Sequence, residues 1–309
     1  MHEKKLFCFG YGYCAEYLGH ALQKHGGWSI GGTTRDSDKN HLFRLRGIDS
    51  HIFSPDNPLP DPEDILRGVT HILLSVPPGD DGDPVFHIHG EDFLKIDTLE
   101  WVGYLSTTGV YGNKHGAWID ENAEISPTSQ RGSRRAKAEE QWRELYRRYN
   151  LPVNLFRLSG IYGPGRSALD SVRAGVARRI HKPGHAFNRI HVQDIVRTLK
   201  ASMNAPKPGE AYNLADDSPA PSHEVISYAC DMLDIEPPPL IPFETADMAP
   251  IARSFYKDNK RISNKKIKED LGVELLYPDY ASGLQACLAA EQYALSLQED
   301  ISEAQDQKR

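Results

Sequence analysis

The sequence predicts an α/β protein with a doubly wound parallel sheet and a smaller C-terminal substrate lobe. A short apolar run at 6–9 ends in a glycine turn that leads directly into a helical pattern. A second, continuous apolar run at 70–76 is typical of a strand buried on both faces of a parallel sheet. A third strand pattern at 101–105 is followed by apolar residues at helical spacing, namely Ala138, Trp142, Leu145 and Tyr149.

The turn at 10–15 has the spacing G-x-G-x-x-A, which matches the dinucleotide-binding fingerprint with alanine in the third small position. Gly10 lets the chain turn, Gly12 lets the backbone approach a pyrophosphate, and Ala15 lets helix and strand pack closely. The helix N-terminus presents free N–H groups and a positive dipole end to phosphates. A turn without a ligand is the alternative. We expect a Rossmann-type sheet, with cofactor contacts from Gly10, Tyr11, Gly12, Tyr13, Cys14 and Ala15.

Composition excludes several classes of function. The 309 residues are 39% hydrophobic and 26% charged, with a formal net charge of -7, so nucleic acid is not the expected partner. No apolar run reaches the length of a membrane span, and no signal peptide is recognised, so a cytoplasmic location is expected. The four cysteines lack paired metal-ligand spacing, so they are expected to be reduced thiols, and no metal site is predicted.

The residue just past the second strand, at 28–35, discriminates between the two nicotinamide dinucleotides. An acidic residue there favours the free ribose hydroxyl of NAD, whereas an arginine accommodates the 2′-phosphate of NADP. The strand ends in Arg35, which predicts NADP, although Asp36 follows directly and keeps NAD as the alternative. Ligands of doubly wound sheets lie at the carboxyl ends of strands. We therefore expect the cofactor cleft to be lined also by Ser75, Val76 and Pro77.

Four later segments, at 106–112, 155–165, 190–195 and 212–214, have a characteristic order and spacing. The first reads Ser-Thr-Thr-Gly-Val-Tyr-Gly, and the third reads Ile-His-Val-Gln-Asp-Ile. Together they resemble the extended short-chain dehydrogenase/reductase superfamily, of the NAD(P)-dependent epimerase/dehydratase type. The resemblance implies that Thr107 carries the catalytic hydroxyl at the end of a strand.

Members of that superfamily carry Tyr-x-x-x-Lys on the next helix, where the phenol acts as acid and base. In the matching register this chain has Arg131 and Arg135, and arginine does not exchange a proton near neutral pH. The two arginines are therefore expected to act electrostatically, and Tyr162 and His191 are the remaining candidates near the nicotinamide. His191 is alternatively a structural residue. The letters Tyr-x-x-x-Lys recur at 256–260, which we interpret as coincidence because they lie far along the chain from the cofactor half.

We expect a dinucleotide-binding domain at 1–165, an interleaved substrate lobe at 166–300 and a polar tail at 301–309. A strand near 211–214 is expected to return to the sheet. Arginines and lysines cluster at 166–182, which suits an anionic ligand or, equally, a solvated helix face. The predicted function is an NAD(P)-dependent oxidoreductase or epimerase/dehydratase-like protein acting on a polar, anionic small molecule. The alternative is a non-catalytic NADP(H)-binding sensor or regulatory protein.

Overall fold

The computed structural model describes residues 3–306, with side chains described for residues 3–293. The strands are β1 (Lys4–Phe9), β2 (Trp28–Thr34), β3 (Asp49–Ile52), β4 (His71–Leu74), β5 (Trp101–Thr107), β6 (Trp118–Ile119), β7 (Val153–Leu158), β8 (Gly160–Tyr162), β9 (Arg179–His181), β10 (Arg189–His191), β11 (Ala211–Leu214), β12 (Leu240–Pro242) and β13 (Arg261–Ile262). The helices are α1 (Tyr13–His25), α2 (Ser37–Leu45), α3 (Pro62–Ile65), α4 (Pro84–Phe93), α5 (Gln130–Tyr149), α6 (Ala168–Arg173), α7 (Val192–Asn204), α8 (Ser222–Leu233), α9 (Pro250–Ser254), α10 (Lys265–Leu271) and α11 (Tyr280–Asp306).

The centre of the protein is a seven-stranded sheet with the order β11-β7-β5-β4-β1-β2-β3. Every neighbouring pair in this sheet is parallel. The strand order reverses between β1 and β4, and a crevice opens at such a reversal, beyond the carboxyl ends of the strands. The Rossmann-type α/β sheet predicted from the sequence is therefore confirmed, and its ligand crevice lies beside the 10–15 turn.

Helices cover both faces of the sheet, because the strands are apolar on both sides. Along β1, Leu6 and Cys8 belong to one buried cluster, whereas Phe7 and Phe9 belong to another, as the alternation of side chains in a strand requires. The first cluster is completed by α1 and α7, and the second by α4 and α5. This three-layer packing holds the ends of β1, β4 and β5 in fixed positions.

The smaller lobe is built mainly from α6, α8, α9 and α11 with the short strand pair β9–β12. The chain passes through part of this lobe, returns to the sheet as edge strand β11, and then re-enters the lobe. Helix α11 continues to Asp306, so the segment at 301–306, expected as a tail, is helical. Residues 307–309 lie outside the described residues.

The cysteines and the helix lengths are two further features of the structure. All four cysteines are buried and free of disulfides. Among the described residues, no helix combines the length and apolar character needed to cross a lipid bilayer.

Candidate functional site

The turn between β1 and α1 has the geometry of a phosphate-binding loop. Gly10 has a φ of 87°, and a Cβ there would lie 2.9 Å from Ser75 Oγ, so only glycine fits without strain. Gly12 precedes the first turn of α1, which has no side-chain cap, and a Cβ on Gly12 would meet nothing within 4 Å. The free N–H groups of α1 therefore face open space, which is the environment that a pyrophosphate requires.

The other residues of the turn act mainly through their backbone. The side chains of Tyr11, Cys14 and Ala15 are buried, and the Tyr11 ring packs edge-on against Phe43 at 5.0 Å. These side chains pack α1 against the sheet.

Tyr13 connects the turn to the other lobe. Its hydroxyl donates a hydrogen bond of 3.0 Å to the carbonyl oxygen of Pro164, and the Arg166 guanidinium lies 5.6 Å over its ring. The loop after β8 is therefore fixed against the glycine turn.

The end of β2 carries an exposed cation. Arg35 follows the strand directly, is exposed, and has no ion pair or side-chain hydrogen bond within the described part of the chain. Asp36 instead caps α2, because its carboxylate accepts hydrogen bonds from the N–H groups of Asp38 and Lys39 at 2.9 and 3.0 Å. These N–H groups hold the pKa of Asp36 below its usual value. Oδ1 of the acidic residue beside Arg35 is thus engaged in helix capping.

The residues after β4 lie beside the glycine turn. Ser75 and Val76 are half-buried and Pro77 is exposed. The Ser75 hydroxyl donates to the carbonyl oxygen of Gly10 at 2.5 Å, which joins the ends of β1 and β4. The predicted cofactor residues of these two strands are therefore adjacent.

Thr107 is the last residue of β5 and is half-buried. Its Oγ1 accepts a hydrogen bond of 3.1 Å from the N–H of Gly109, which leaves its own O–H free to donate. Helix α5 approaches this turn closely, because a Cβ on Gly132 would lie 2.7 Å from the carbonyl oxygen of Gly109. The start of α5 and Thr107 therefore belong to the same part of the site.

The two arginines at the start of α5 make different contacts. Arg135 Nη1 donates to the carbonyl oxygen of Leu105 at 2.7 Å and to the hydroxyl of Tyr104 at 3.0 Å, so Arg135 is tied to β5. Arg131 is exposed and its guanidinium lies 5.6 Å over the ring of Phe255, in the smaller lobe. Arg131 thus stands where the two lobes face each other.

Tyr162 and His191 are buried in the contact between the lobes. The Tyr162 hydroxyl donates to the carbonyl oxygen of Asp279 at 3.3 Å, and burial raises the pKa of the phenol. His191 is 1% exposed, and its Nδ1 accepts the N–H of Gln193 at 3.2 Å as the cap of α7. Burial lowers the pKa of His191 to about 4. These contacts fix the His191 ring in the packing between the lobes, and its predicted contact with the cofactor stays a prediction.

A buried ion pair stabilises the floor of the site. Arg157 on β7 donates to Glu139 of α5, with Nη2 2.8 Å from Oε2, and Ser106 donates to the same carboxylate at 2.6 Å. Arg157 Nη1 also donates to the Tyr111 hydroxyl at 2.7 Å. The arginine and carboxylate are both satisfied, so they are positioned to fix α5 against the sheet.

The smaller lobe contains a groove of about 930 Å³. It is lined by β8, α6, α8, α9 and the start of α11, and Tyr162 forms part of its wall. Three arginines line it, namely Arg166, Arg178 and Arg189. Its rim carries exposed apolar side chains, namely Val176, Ile251 and Phe255.

Sequence reasoning missed part of this groove. Tyr256 lines it, and the Lys260 ammonium donates to the carbonyl oxygen of Gly112 at 2.8 Å, close along the chain to Thr107. The Tyr-x-x-x-Lys letters at 256–260 are therefore remote from the cofactor half in sequence but not in space. The Tyr-x-x-x-Lys letters are visible in the sequence, but only the tertiary structure shows that they lie near the groove and near Gly112. Among residues 3–293, no three His, Cys, Asp or Glu side chains form a metal-binding group.

Comparisons with known proteins agree with this geometry. Protein YeeZ of Escherichia coli K12 is 25% identical over 291 residues, covering 89% of this chain and 97% of YeeZ. A solved structure of a functionally unknown conserved protein from Silicibacter pomeroyi shares 45% identity with a TM-score of 0.86, covering 93% of this chain and 99% of that one. The dTDP-glucose 4,6-dehydratase of Bacillus anthracis, solved in complex with NAD, has the same fold, with a TM-score of 0.74, 18% identity and coverage of 93% and 96%.

A family model matches part of the chain. Residues 94–215, from β5 through β11, match the model described as the NAD dependent epimerase/dehydratase family. The matched stretch contains Thr107, the arginines of α5 and His191. This part of the chain is therefore similar to the NAD dependent epimerase/dehydratase family, and the whole chain has the fold of the dehydratase structure.

Proposed function

We propose that the protein is an NADP(H)-dependent oxidoreductase or epimerase/dehydratase-like enzyme that acts on a small anionic molecule. The observation that carries the proposal is the contrast at the end of β2. Arg35 is exposed and unpaired among the described residues, whereas Oδ1 of Asp36 accepts two hydrogen bonds as the cap of α2. Arginine at this position accommodates a 2′-phosphate. The NAD in the Bacillus anthracis dehydratase structure supports a nicotinamide dinucleotide more generally.

The remaining cofactor contacts follow from the crevice. The backbone at Gly12 and the first N–H groups of α1 would hold the pyrophosphate, because no side chain occupies the space before them. When bound, the dinucleotide supplies or accepts a hydride. Ser75, Val76 and Pro77 would line the same crevice next to Gly10.

The chain's own residues would orient the substrate. The free O–H of Thr107 can donate to the reacting oxygen of a carbonyl or alcohol. Arg131 would attract a negative group of the substrate across the space between the lobes, and Arg135 would hold the start of α5 on β5. Tyr162 remains a candidate proton donor because it lines the groove, although its raised pKa disfavours ionisation.

A non-catalytic NADP(H)-binding sensor is the second candidate. It is favoured by one observation, which is that α5 carries Arg131 and Arg135 in the register where the superfamily has its tyrosine and lysine. A guanidinium does not release its proton near neutral pH.

Deuterium transfer separates these two functions. The protein would be incubated with NADPH deuterated at C4 and with small aldehydes and ketones that carry a carboxylate, and products would be analysed by mass spectrometry. An enzyme transfers deuterium to the carbonyl carbon, and Thr107→Val slows this transfer. NADPH binding without deuterium transfer to any carbonyl compound tested would favour the sensor.

A further inference from the structure

Arg189 is a half-buried cation on the wall of the groove with an unused hydrogen-bonding edge. Its Nη1 donates to the carbonyl oxygens of Phe187 and Ala220 at 3.1 and 3.0 Å. Within the described part of the chain, its Nε and Nη2 have no acceptor. These two atoms form one edge of the planar guanidinium, and two parallel N–H groups on one edge match the two oxygens of a carboxylate.

This guanidinium also forms no ion pair with a described carboxylate. No carboxylate of the described residues lies within 4.0 Å of it, because Arg189 forms none of the ion pairs seen at that distance. The nearby Asp216 is 1% exposed, and burial raises its pKa to about 8, so it is largely neutral at pH 7. A desolvated cation without a partner is costly, and an anionic ligand would remove this cost.

The groove around Arg189 is otherwise largely apolar. Ile180, Val225 and Met248 line its interior, and Val176, Ile251 and Phe255 form the exposed rim. Exposed apolar side chains gathered around one groove indicate a ligand that covers them. The other two arginines that line the groove are exposed: Arg178 donates to the carbonyl oxygen of Asp247, and Arg166 lies over the ring of Tyr13.

We infer that the groove binds a small carboxylic acid with an apolar body, whose carboxylate pairs with the Nε–Nη2 edge of Arg189. The apolar body lies against Ile180 and Val225 and beneath the Ile251–Phe255 side of the rim. The apolar interior and rim favour an apolar body over a nucleotide with several charged phosphates. The inference rests on the proposed function, because it names the substrate class of that enzyme, with Arg189 as the residue that determines specificity.

Calorimetric titration tests the inference with defined probes. Octanoate and 3-phenylpropanoate carry the proposed chemistry, whereas 3-phenylpropanamide has the same shape without the charge. Inorganic phosphate and UDP-glucose represent the competing ligand classes. At least one of the two carboxylates should bind the wild type saturably, and the amide should bind roughly ten- to a hundredfold more weakly than 3-phenylpropanoate.

Two variants locate the binding site. Arg189→Gln should weaken carboxylate binding roughly ten- to a hundredfold. Arg173→Gln is the matched control, because Arg173 is exposed, pairs with Glu291 and lies outside the groove, and it should bind as the wild type does. Ile251→Asp is a second variant that tests the same groove if Arg189→Gln does not fold. Ile251 is 59% exposed, so this change should preserve the fold while repelling the carboxylate and removing apolar contact.

NADPH is titrated separately into each protein, so that failure of the carboxylate inference can be distinguished from failure of the cofactor proposal. Normal NADPH binding with no carboxylate binding would overturn the carboxylate inference and leave the cofactor proposal intact. Carboxylate binding without NADPH binding would overturn the cofactor proposal and leave the carboxylate inference intact. The inference is also overturned if UDP-glucose or phosphate binds more tightly than both carboxylates, or if Arg189→Gln and Ile251→Asp both bind them unchanged.

Discussion

The Ser75 hydroxyl donates a 2.5 Å hydrogen bond to the carbonyl oxygen of Gly10, which fixes the turn after β1 to the end of β4. The two glycines of this turn consequently have different tasks. Gly10 is needed for its positive φ and its close contact with Ser75, whereas Gly12 borders empty space. One glycine therefore serves the fold and the other serves the proposed ligand.

Substitution of the two glycines should separate folding from binding. Gly12→Val places a side chain where the pyrophosphate is expected, so NADPH binding should be lost while the urea-unfolding midpoint stays near that of the wild type. Gly10→Ala should lower the free energy of unfolding by about 1–2 kcal/mol or more, because of strain at positive φ and the contact with Ser75. Normal NADPH affinity in Gly12→Val would place the cofactor elsewhere.

The sequence predicted this part of the molecule well because its determinants are local. The glycine spacing, the apolar run of β4 and the position of Arg35 after β2 each lie within a few residues of the structure they specify. The capping role of Asp36 was equally local, because it is followed by two free N–H groups at the start of α2.

The groove could not be predicted in the same way, because it is assembled from distant segments. Arg189, Val225 and Ile251 come from three separate stretches, and no local pattern specifies their meeting. His191 shows that a local motif does not reveal how deeply a side chain is buried. The segment around His191 resembles that of the superfamily. Its ring caps α7 and is buried against Tyr162 and Tyr277, and these contacts come from distant parts of the chain.

Arg131 is predicted to act on binding instead of proton transfer. Arg131→Ala should raise KM for an anionic substrate roughly ten- to a hundredfold, while the pH dependence of kcat keeps its shape, because the guanidinium stays charged. Tyr162→Phe is the informative comparison, because a general acid or base contributes on the order of a hundredfold or more in rate. Loss of a titrating limb in Arg131→Ala, with Tyr162→Phe unchanged, would contradict this assignment.

His191 should make the fold sensitive to mild acid. Its pKa is about 4 in the folded protein, against 6.5 for an ordinary histidine, so the unfolded chain takes up a proton first as the pH falls. Stability should therefore be lost as the pH falls from about 6.5 to about 4, by up to about 1.4 kcal/mol per pH unit from this residue.

The test is urea unfolding of wild type and His191→Gln across that pH range. His71, whose pKa burial also lowers to about 4, contributes the same background to both proteins. Loss of the α7 cap should lower the free energy of unfolding of His191→Gln by the same amount at every pH. The quantity to compare is therefore the slope of the free energy of unfolding against pH. Parallel curves for the two proteins would mean that His191 is protonated in the folded state.

Asp216 should have the opposite kind of pH dependence. Its folded pKa of about 8 lies above the ordinary value of 3.8, so the folded protein retains a proton that the unfolded chain loses. This residue should therefore reduce stability as the pH rises from about 4 to about 8. Asp216→Asn should become progressively more stable than the wild type over that range, as measured by urea unfolding. A constant difference between the proteins would show that Asp216 is ionised in the fold.

The most direct test of the central claim is a titration of NADPH and NADH into wild type, Arg35→Ala and Arg46→Ala. Arg46 is the matched control, because it is exposed near the end of α2 and lies 3.9 Å from Glu16. The wild type should prefer NADPH, and Arg35→Ala should weaken NADPH binding by about 1.5–3 kcal/mol, or roughly ten- to a hundredfold, with NADH nearly unchanged. Arg46→Ala should match the wild type. Equal affinities of the wild type for NADPH and NADH would contradict the claim that Arg35 selects the 2′-phosphate.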